Sequence, residues 1–227
     1  MSKIVVKINI NRDAWNWWDA CNKVSFGVDW SERIPSAIRN KIKGKTREEA
    51  FAFLIPYLKK LYIKEKIKTK QNDTKKIFLK SEPSIFNRMR KMTGRKIYKN
   101  VFTCYVATFP RAPYDFKKGF AWIPVIWPPE TYVRTFVHEL LHFQTYAYWK
   151  KSCLKHITEK QFEYLKEALT LILNEAFIDL IVWQDKGYKQ HQRLRKKLFV
   201  FWNRTKNFEN LIEYGIKLQT GVKMKRR

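Results

Sequence analysis

Glycine is scarce, at seven in 227 residues, and no glycine-rich phosphate loop is visible. This argues against the nucleotide-binding classes that cradle phosphates on such loops. The three cysteines, Cys21, Cys104 and Cys153, lie far apart with no C-x-x-C pair. An odd count without pairing logic points to reduced thiols in a cytoplasmic compartment. No uncharged apolar run reaches 18 residues, so no transmembrane helix is expected. The opening "MSKIVVKINI" alternates apolar and polar residues, reads as a strand, and lacks the apolar centre of a signal peptide. Acidic residues are few: 20 Asp and Glu stand against 47 Lys and Arg, a formal net charge of +27.

That excess favours acidic partners, namely nucleic acid, anionic lipid or an acidic protein. It is concentrated in two segments. Residues 59–99 hold fifteen Lys/Arg against three acids, and residues 186–227 hold thirteen against two. Tyr62, Phe86, Tyr98, Phe199, Phe201 and Trp202 are interleaved with these charges, a composition suited to tracking phosphates and stacking bases. Apolar residues make up 45% of the chain, including nine Trp and sixteen Phe, enough for a sizeable core. Two regions are expected, a basic α+β region over 1–99 and a second region over 100–227 with basic C-terminal helices, together forming one compact unit.

Local signals give the following order of elements. A strand over 3–10 is followed by a Trp-rich helix in "NRDAWNWWDACNKV". Thr46 with Glu49 forms a capping box opening a helix to about 66, with Pro56 inside it. The stretch 66–76 reads as a charged loop, and "SEPSIFNRMRKMTG" as a short helix ended by Gly94. Val101–Phe109 and Phe120–Trp127 read as the two strands of a hairpin, the second kept to a sheet edge by Pro124 and so open to an extended peptide. A helix begins at Thr131. Thr158 with Gln161 caps another, expected to run to Gln184 and to be closed by Gly187. Two further helices are expected over about 188–203 and 207–218. The fold class is therefore α+β, a small antiparallel sheet with an edge hairpin followed by a mostly helical C-terminal half.

The helix from Thr131 carries "TFVHELLHFQTYAYW", residues 135–149. His138 and His142 are four residues apart, which puts both imidazoles on one helix face. Two imidazoles so placed can bind one Zn²⁺ at ~2.0–2.1 Å each. Glu139 is rotated by about 100° and is placed to take a proton from an attacking water. Independent placement at the frequencies of four His and thirteen Glu in this length gives about 0.004 expected matches to H-E-x-x-H, so the pattern weighs against coincidence.

Strand, motif helix and following helix resemble the zincin metallopeptidases over roughly residues 100–185. Position 145 is Thr and 148 is Tyr, where the metzincin form has Gly and His, so the resemblance narrows to the gluzincins, thermolysin-like or minigluzincin-like. It implies Zn²⁺, a third ligand from a later glutamate, Glu139 as general base, a peptide or protein substrate, and a Tyr or His that supports the oxyanion. Tyr146, Tyr148, Tyr188 and His191 are candidates for that last role.

Two glutamates compete for the third ligand position. "NEAFID", 174–179, is similar to the N-E-x-x-x-D segment of thermolysin-like enzymes, where Glu binds zinc and Asp orients a ligand histidine. That would assign Glu175 and Asp179, although thirty-two residues separate His142 from Glu175, more than in those enzymes. Helix geometry favours Glu167. If two antiparallel helices turn between 151 and 159, Glu167 lies level with His142 within about 2 Å, and Glu175 overshoots by about 10 Å. Glu163, Glu167, Thr170 and Asn174 also form a polar stripe that should face the motif helix. Asp179 would then pair with Arg195 or His191 across a helix hairpin. The function expected is a zinc-dependent peptidase, and the alternative is a basic nucleic-acid-binding protein with a structural or vestigial zinc site.

Overall fold

The computed structural model describes residues 2–25 and 27–221. The last six residues of the basic C-terminal segment lie outside them. The fold is α+β, with a small mixed sheet and a helical C-terminal half. The elements are β1 (Lys3–Ile8), α1 (Ile10–Asn22), β2 (Val24–Ser25), β3 (Val28–Asp29), α2 (Ser36–Ile42), α3 (Arg47–Lys64), α4 (Ile67–Thr93), β4 (Val101–Ala107), β5 (Tyr114–Asp115) and β6 (Phe120–Pro124). They continue with α5 (Glu130–Tyr148), α6 (Lys150–Cys153), α7 (Glu159–Leu169), α8 (Leu173–Ala176), α9 (Gln192–Thr205) and α10 (Phe208–Thr220). No helix among the described residues is long and apolar enough to cross a membrane.

The chain divides into two compact units. One comprises Ile4–Lys80 and Val101–Tyr132, the other Met1–Lys3, Ser81–Asn100 and Val133–Arg227. The first holds most of the sheet, in the order β1-β4-β6-β5. It also holds a core of Ala14, Trp17, Ile38, Leu54, Leu58 and Phe109 between helices α1, α2 and α3. α1 is anchored through Asp13, fully buried, whose carboxylate accepts from the Thr108 backbone N–H at 3.1 Å and hydroxyl at 2.8 Å. Both capping boxes form as read, at Thr46 with Glu49 and at Thr158 with Gln161.

The sheet corrects the expectation of an antiparallel hairpin between the two long β-rich runs. β4 and β6 are parallel, Thr103 opposite Phe120 through Ala107 opposite Pro124. A tight turn does exist, but it joins β5 to β6, Tyr114 opposite Ala121. Asp115 makes the turn: its side chain accepts from the Lys118 N–H at 3.0 Å, and Gly119 takes φ +70°. β6 is therefore an inner strand rather than an edge strand open to an added peptide. Pro124 is tolerated there for a local reason. The Trp122 N–H points to the β5 side, donating to the Pro113 carbonyl at 3.0 Å. By alternation the missing N–H of Pro124 falls on that same side, beyond the end of two-residue β5.

The expected loop over 66–76 is helix. α4 runs unbroken from Ile67 to Thr93, so the short helix read near its end is its last third, closed by Gly94 at φ +66°. Ile67, Thr74, Phe78, Ser81, Ile85, Met89 and Met92 are its buried stripe, at helical spacing. The stripe is hidden in the sequence because Thr74 and Ser81 occupy two of its positions. The Thr74 hydroxyl donates to the Lys70 carbonyl at 2.6 Å, which lets a polar residue lie in the seam.

In the second unit α7, α9 and α10 pack together. Gly215 sets the approach of α10 to α7, because a Cβ there would lie 2.4 Å from Leu165 Cδ1. The single helix expected from 158 to 184 is instead α7, a 3-10 turn over Thr170–Ile172 and the one-turn α8, followed by non-helical chain that folds back before α9.

Candidate metal centre

α5 is buried on nearly every side. Phe136, Val137, Leu140, Leu141 and Phe143 have no exposed surface. A polar seam in such a helix must be met by polar partners. His138, His142 and Tyr146 form that seam at i, i+4 and i+8, and α7 supplies the partners. His142 Nε2 lies 3.2 Å from Glu167 Oε1, and His138 Nε2 lies 3.6 Å from Glu167 Oε2. The two imidazoles stand nearly perpendicular, with centroids 4.4 Å apart. One donor atom from each of His138, His142 and Glu167 lies within 4.8 Å of the others.

The spacing fits a small divalent ion. Two ligands each ~2.0–2.2 Å from a tetrahedral ion lie about 3.3–3.6 Å apart, and the nitrogen–oxygen separations of 3.2 and 3.6 Å, each to a different oxygen of Glu167, are close to that. The donor set, two imidazoles and a carboxylate, suits zinc. Among the described residues the cluster ends at these three protein donors. Glu139 is nearly fully buried, and its Oε2 has no hydrogen-bond partner among the described residues. An orphaned carboxylate oxygen beside a convergent donor set is what a water-activating base requires.

Asp185 completes the arrangement from the far side of His138. Its Oδ2 lies 2.5 Å from His138 Nδ1, which commits that nitrogen and leaves Nε2 for a metal. Asp185 is itself held tightly. Its backbone exchanges hydrogen bonds with the Asn174 side chain at 2.6 and 3.0 Å. Its Oδ1 accepts from the Gly187 N–H at 3.0 Å and sits 3.3 Å from the Arg195 guanidinium. Arg195 also donates to the Asp185 carbonyl at 2.6 Å and to the Thr170 hydroxyl at 2.8 Å. Gly187 is required here: its φ is +60°, and a Cβ would lie 2.7 Å from Arg195 Nη1.

Comparison with protein-family models, with curated proteins and with solved structures finds no match to this chain.

Electrostatics follow from burial and this charge pattern. Burial pushes the Glu139 carboxyl up to about 8, against the opposing effect of His138. Burial also works against a cationic His138, but Asp185 and Glu167 outweigh it and raise its pKa well above the usual value. His142 is pushed down to about 3, chiefly by burial. Glu167, despite burial, is held well below the carboxylate range by His142, His138 and Lys166. Asp185 is likewise brought down to about 2, because His138 and Arg195 outweigh its burial.

Of the polar stripe read from the sequence, Glu163 and Glu167 on α7 face the motif helix, while Thr170 and Asn174 lie past the end of α7 and turn to Asp185. Glu163 accepts from the Tyr146 hydroxyl, Glu167 meets both histidines, and Thr170 and Asn174 bind Asp185. Glu175 is not brought to the cluster. It is half-exposed and accepts from Trp202 Nε1 at 3.0 Å and Lys206 Nζ at 2.6 Å. Asp179 meets Arg88 in a two-pronged pair, with neither Arg195 nor His191 as the partner expected from the sequence. The carboxylate that meets a histidine of the motif is Asp185, at His138 Nδ1, rather than Asp179. The signal for Asp185 was weak but present: together with Asp179 it is one of only two acids between Ala176 and Phe208, and Gly187 follows two residues later.

Of the residues considered for the oxyanion, Tyr146 is engaged with Glu163 and Tyr148 lies on the surface. Tyr188 is half-buried. Its phenol is raised to about 12, first by burial and then by Glu167, Glu139 and Asp185. His191 is buried edge-on against Tyr164 and Tyr188. Of the aromatics interleaved with basic charge, Phe86 and Trp202 are buried, and Phe201 stacks on Tyr214. Phe199 is exposed, as are Lys59, Lys60, Lys64, Lys68, Lys75, Lys76 and Lys80 on α3 and α4.

Proposed function

We propose that this chain is a zinc-dependent metallohydrolase, a peptidase of the gluzincin type within the zincins. The observation that carries the reading is the convergence of His138, His142 and Glu167 beside the unpartnered Oε2 of Glu139. Zinc held there supplies Lewis acidity, polarising a scissile carbonyl and making an attacking water more acidic. The protein's own residues do the rest. His138 and His142 would hold the ion through Nε2 and Glu167 through its carboxylate, with His138 kept in that tautomer by Asp185. Glu139 accepts the proton of the attacking water and passes it to the leaving amine. Tyr188 is the residue proposed to support the developing oxyanion. The buried walls of α5 exclude competing water and strengthen each of these interactions.

Metal analysis of protein purified without chelator should give one zinc per chain, lost in His138→Ala. Glu139→Gln should keep the zinc and abolish hydrolysis of a fluorogenic peptide library. A native, metal-free protein that refuses added zinc, or a Glu139→Gln variant with undiminished hydrolysis, would defeat the proposal. The exposed lysines of α3 and α4 offer a positive surface suited to nucleic acid, a partner compatible with this chemistry.

A further inference from the structure

Lys166 is almost completely buried, at 1% exposure, a rare state for a lysine. Its ammonium is enclosed on three sides. Glu163 Oε2 lies 2.9 Å away, Glu167 Oε1 lies 3.3 Å away, and the Tyr146 ring centroid lies 5.2 Å away. The Tyr146 hydroxyl donates to the other oxygen of Glu163, closing the enclosure. This arrangement continues the metal centre by one helical turn: Tyr146 follows His142 at i+4 on α5, as Glu163 precedes Glu167 on α7. Glu167 Oε1 therefore faces His142 on one side and Lys166 on the other.

The charges explain why a cation is placed there. Glu139, Glu167 and Asp185 are all buried around the two histidines, and Arg195 attends to Asp185. Without an ion, the charge of Glu167 is offset only by neighbouring side chains, Lys166 at 3.3 Å and the histidines of α5 at 3.2 and 3.6 Å, and a buried carboxylate without a nearby cation is costly. We propose that Lys166 is an internal counter-cation of the metal ligand Glu167, standing in for part of the metal's charge so that the site assembles before metal arrives, at the expense of affinity for the metal. The inference rests on the zinc reading above. It names Lys166 as a positioning residue that acts through Glu167.

The sign of the expected effect separates this role from a merely structural one. A lysine that only orients Glu167 would, on removal, loosen the ligand and weaken zinc binding. A counter-cation repels the incoming ion, so its removal strengthens zinc binding while weakening the metal-free protein. The test is a zinc titration against a chromophoric chelator, with thermal melts in EDTA and in excess zinc, on wild type, Lys166→Met and Glu163→Gln. Lys166→Met keeps the length and packing of the side chain without the charge. It should melt lower in EDTA, recover more than wild type on adding zinc, and bind zinc at least tenfold more tightly. Glu163→Gln alters a partly exposed residue and keeps the lysine, but removes the charge of one of the two carboxylates at its ammonium, so the lysine opposes an incoming ion more strongly and zinc binding should weaken. That variant preserves the test if Lys166→Met fails to fold without metal. Zinc binding that is unchanged or weaker in Lys166→Met, or unchanged or tighter in Glu163→Gln, would overturn the counter-cation role. A wild-type chain that takes no zinc at all would overturn the metal reading itself, and this inference with it.

Discussion

Replacing Asp185 by Asn is the most informative single change to the site. The two side chains are nearly the same size, so packing is preserved, but the amide cannot satisfy both sides of its position. On one side Asp185 Oδ1 faces the Gly187 N–H at 3.0 Å and the Arg195 guanidinium at 3.3 Å, both donors. An Asn must therefore place its oxygen there and turn its NH₂ toward His138 Nδ1. That nitrogen then has to accept, which moves the ring proton to Nε2, the atom that faces Glu167. A protonated Nε2 cannot bind a metal. Loss of a supporting carboxylate typically costs about 10–100-fold in metal affinity, or roughly 1.4–2.7 kcal/mol. The forced tautomer puts Asp185→Asn at or beyond the upper end. Competition titration with a chromophoric zinc chelator measures the affinity, and circular dichroism in EDTA checks that the fold survives. If Asp185→Asn folds normally and binds zinc within threefold of wild type, the claim that Asp185 sets the His138 tautomer is wrong.

Four further outcomes follow from other residues. Glu167→Gln should weaken zinc binding by more than the range typical of a supporting residue. Glu175→Gln should leave zinc binding unchanged and cost under about 1 kcal/mol in a denaturant titration, because its partners Trp202 and Lys206 meet it near the surface. Asp13 has its carboxyl raised by burial from 3.8 to about 6. The folded protein thus retains a proton that the unfolded chain releases, and stability should fall by up to about 3 kcal/mol as pH rises from about 4 to about 6. Chemical denaturation across that range, with Asp13→Asn flattening this component of the slope, is the check. Finally, if the exposed lysines of α3 and α4 bind duplex DNA, log affinity should fall with log salt at about −0.9 per phosphate contact. Fluorescence anisotropy that finds no binding even at low salt would leave those lysines as a solvated face.

The features legible in the sequence are those set within a few turns of chain. Two histidines four residues apart share a helix face wherever that helix lies, and Thr46 and Thr158 cap their helices through bonds three residues away. Even Glu167 could be favoured over Glu175, because helix rise and a short connection fix which residues of an antiparallel pair stand level. The features missed depend on partners chosen in space. β4 took β6 as a parallel neighbour because the chain stepped across to form β5 first, a choice that β-rich composition does not encode. α4 lost its periodic signal where Thr74 stood in a buried stripe, supported by a bond within the helix. Asp185 reaches His138 from forty-seven residues away because α7 breaks at Thr170 and the chain doubles back, which no local pattern announced. Lys166 looked like one more lysine in a basic chain. Only the packing of α7 against Tyr146, with Glu163 and Glu167 beside it, made it a buried charge, since burial is a property of the assembled neighbours rather than of the residue.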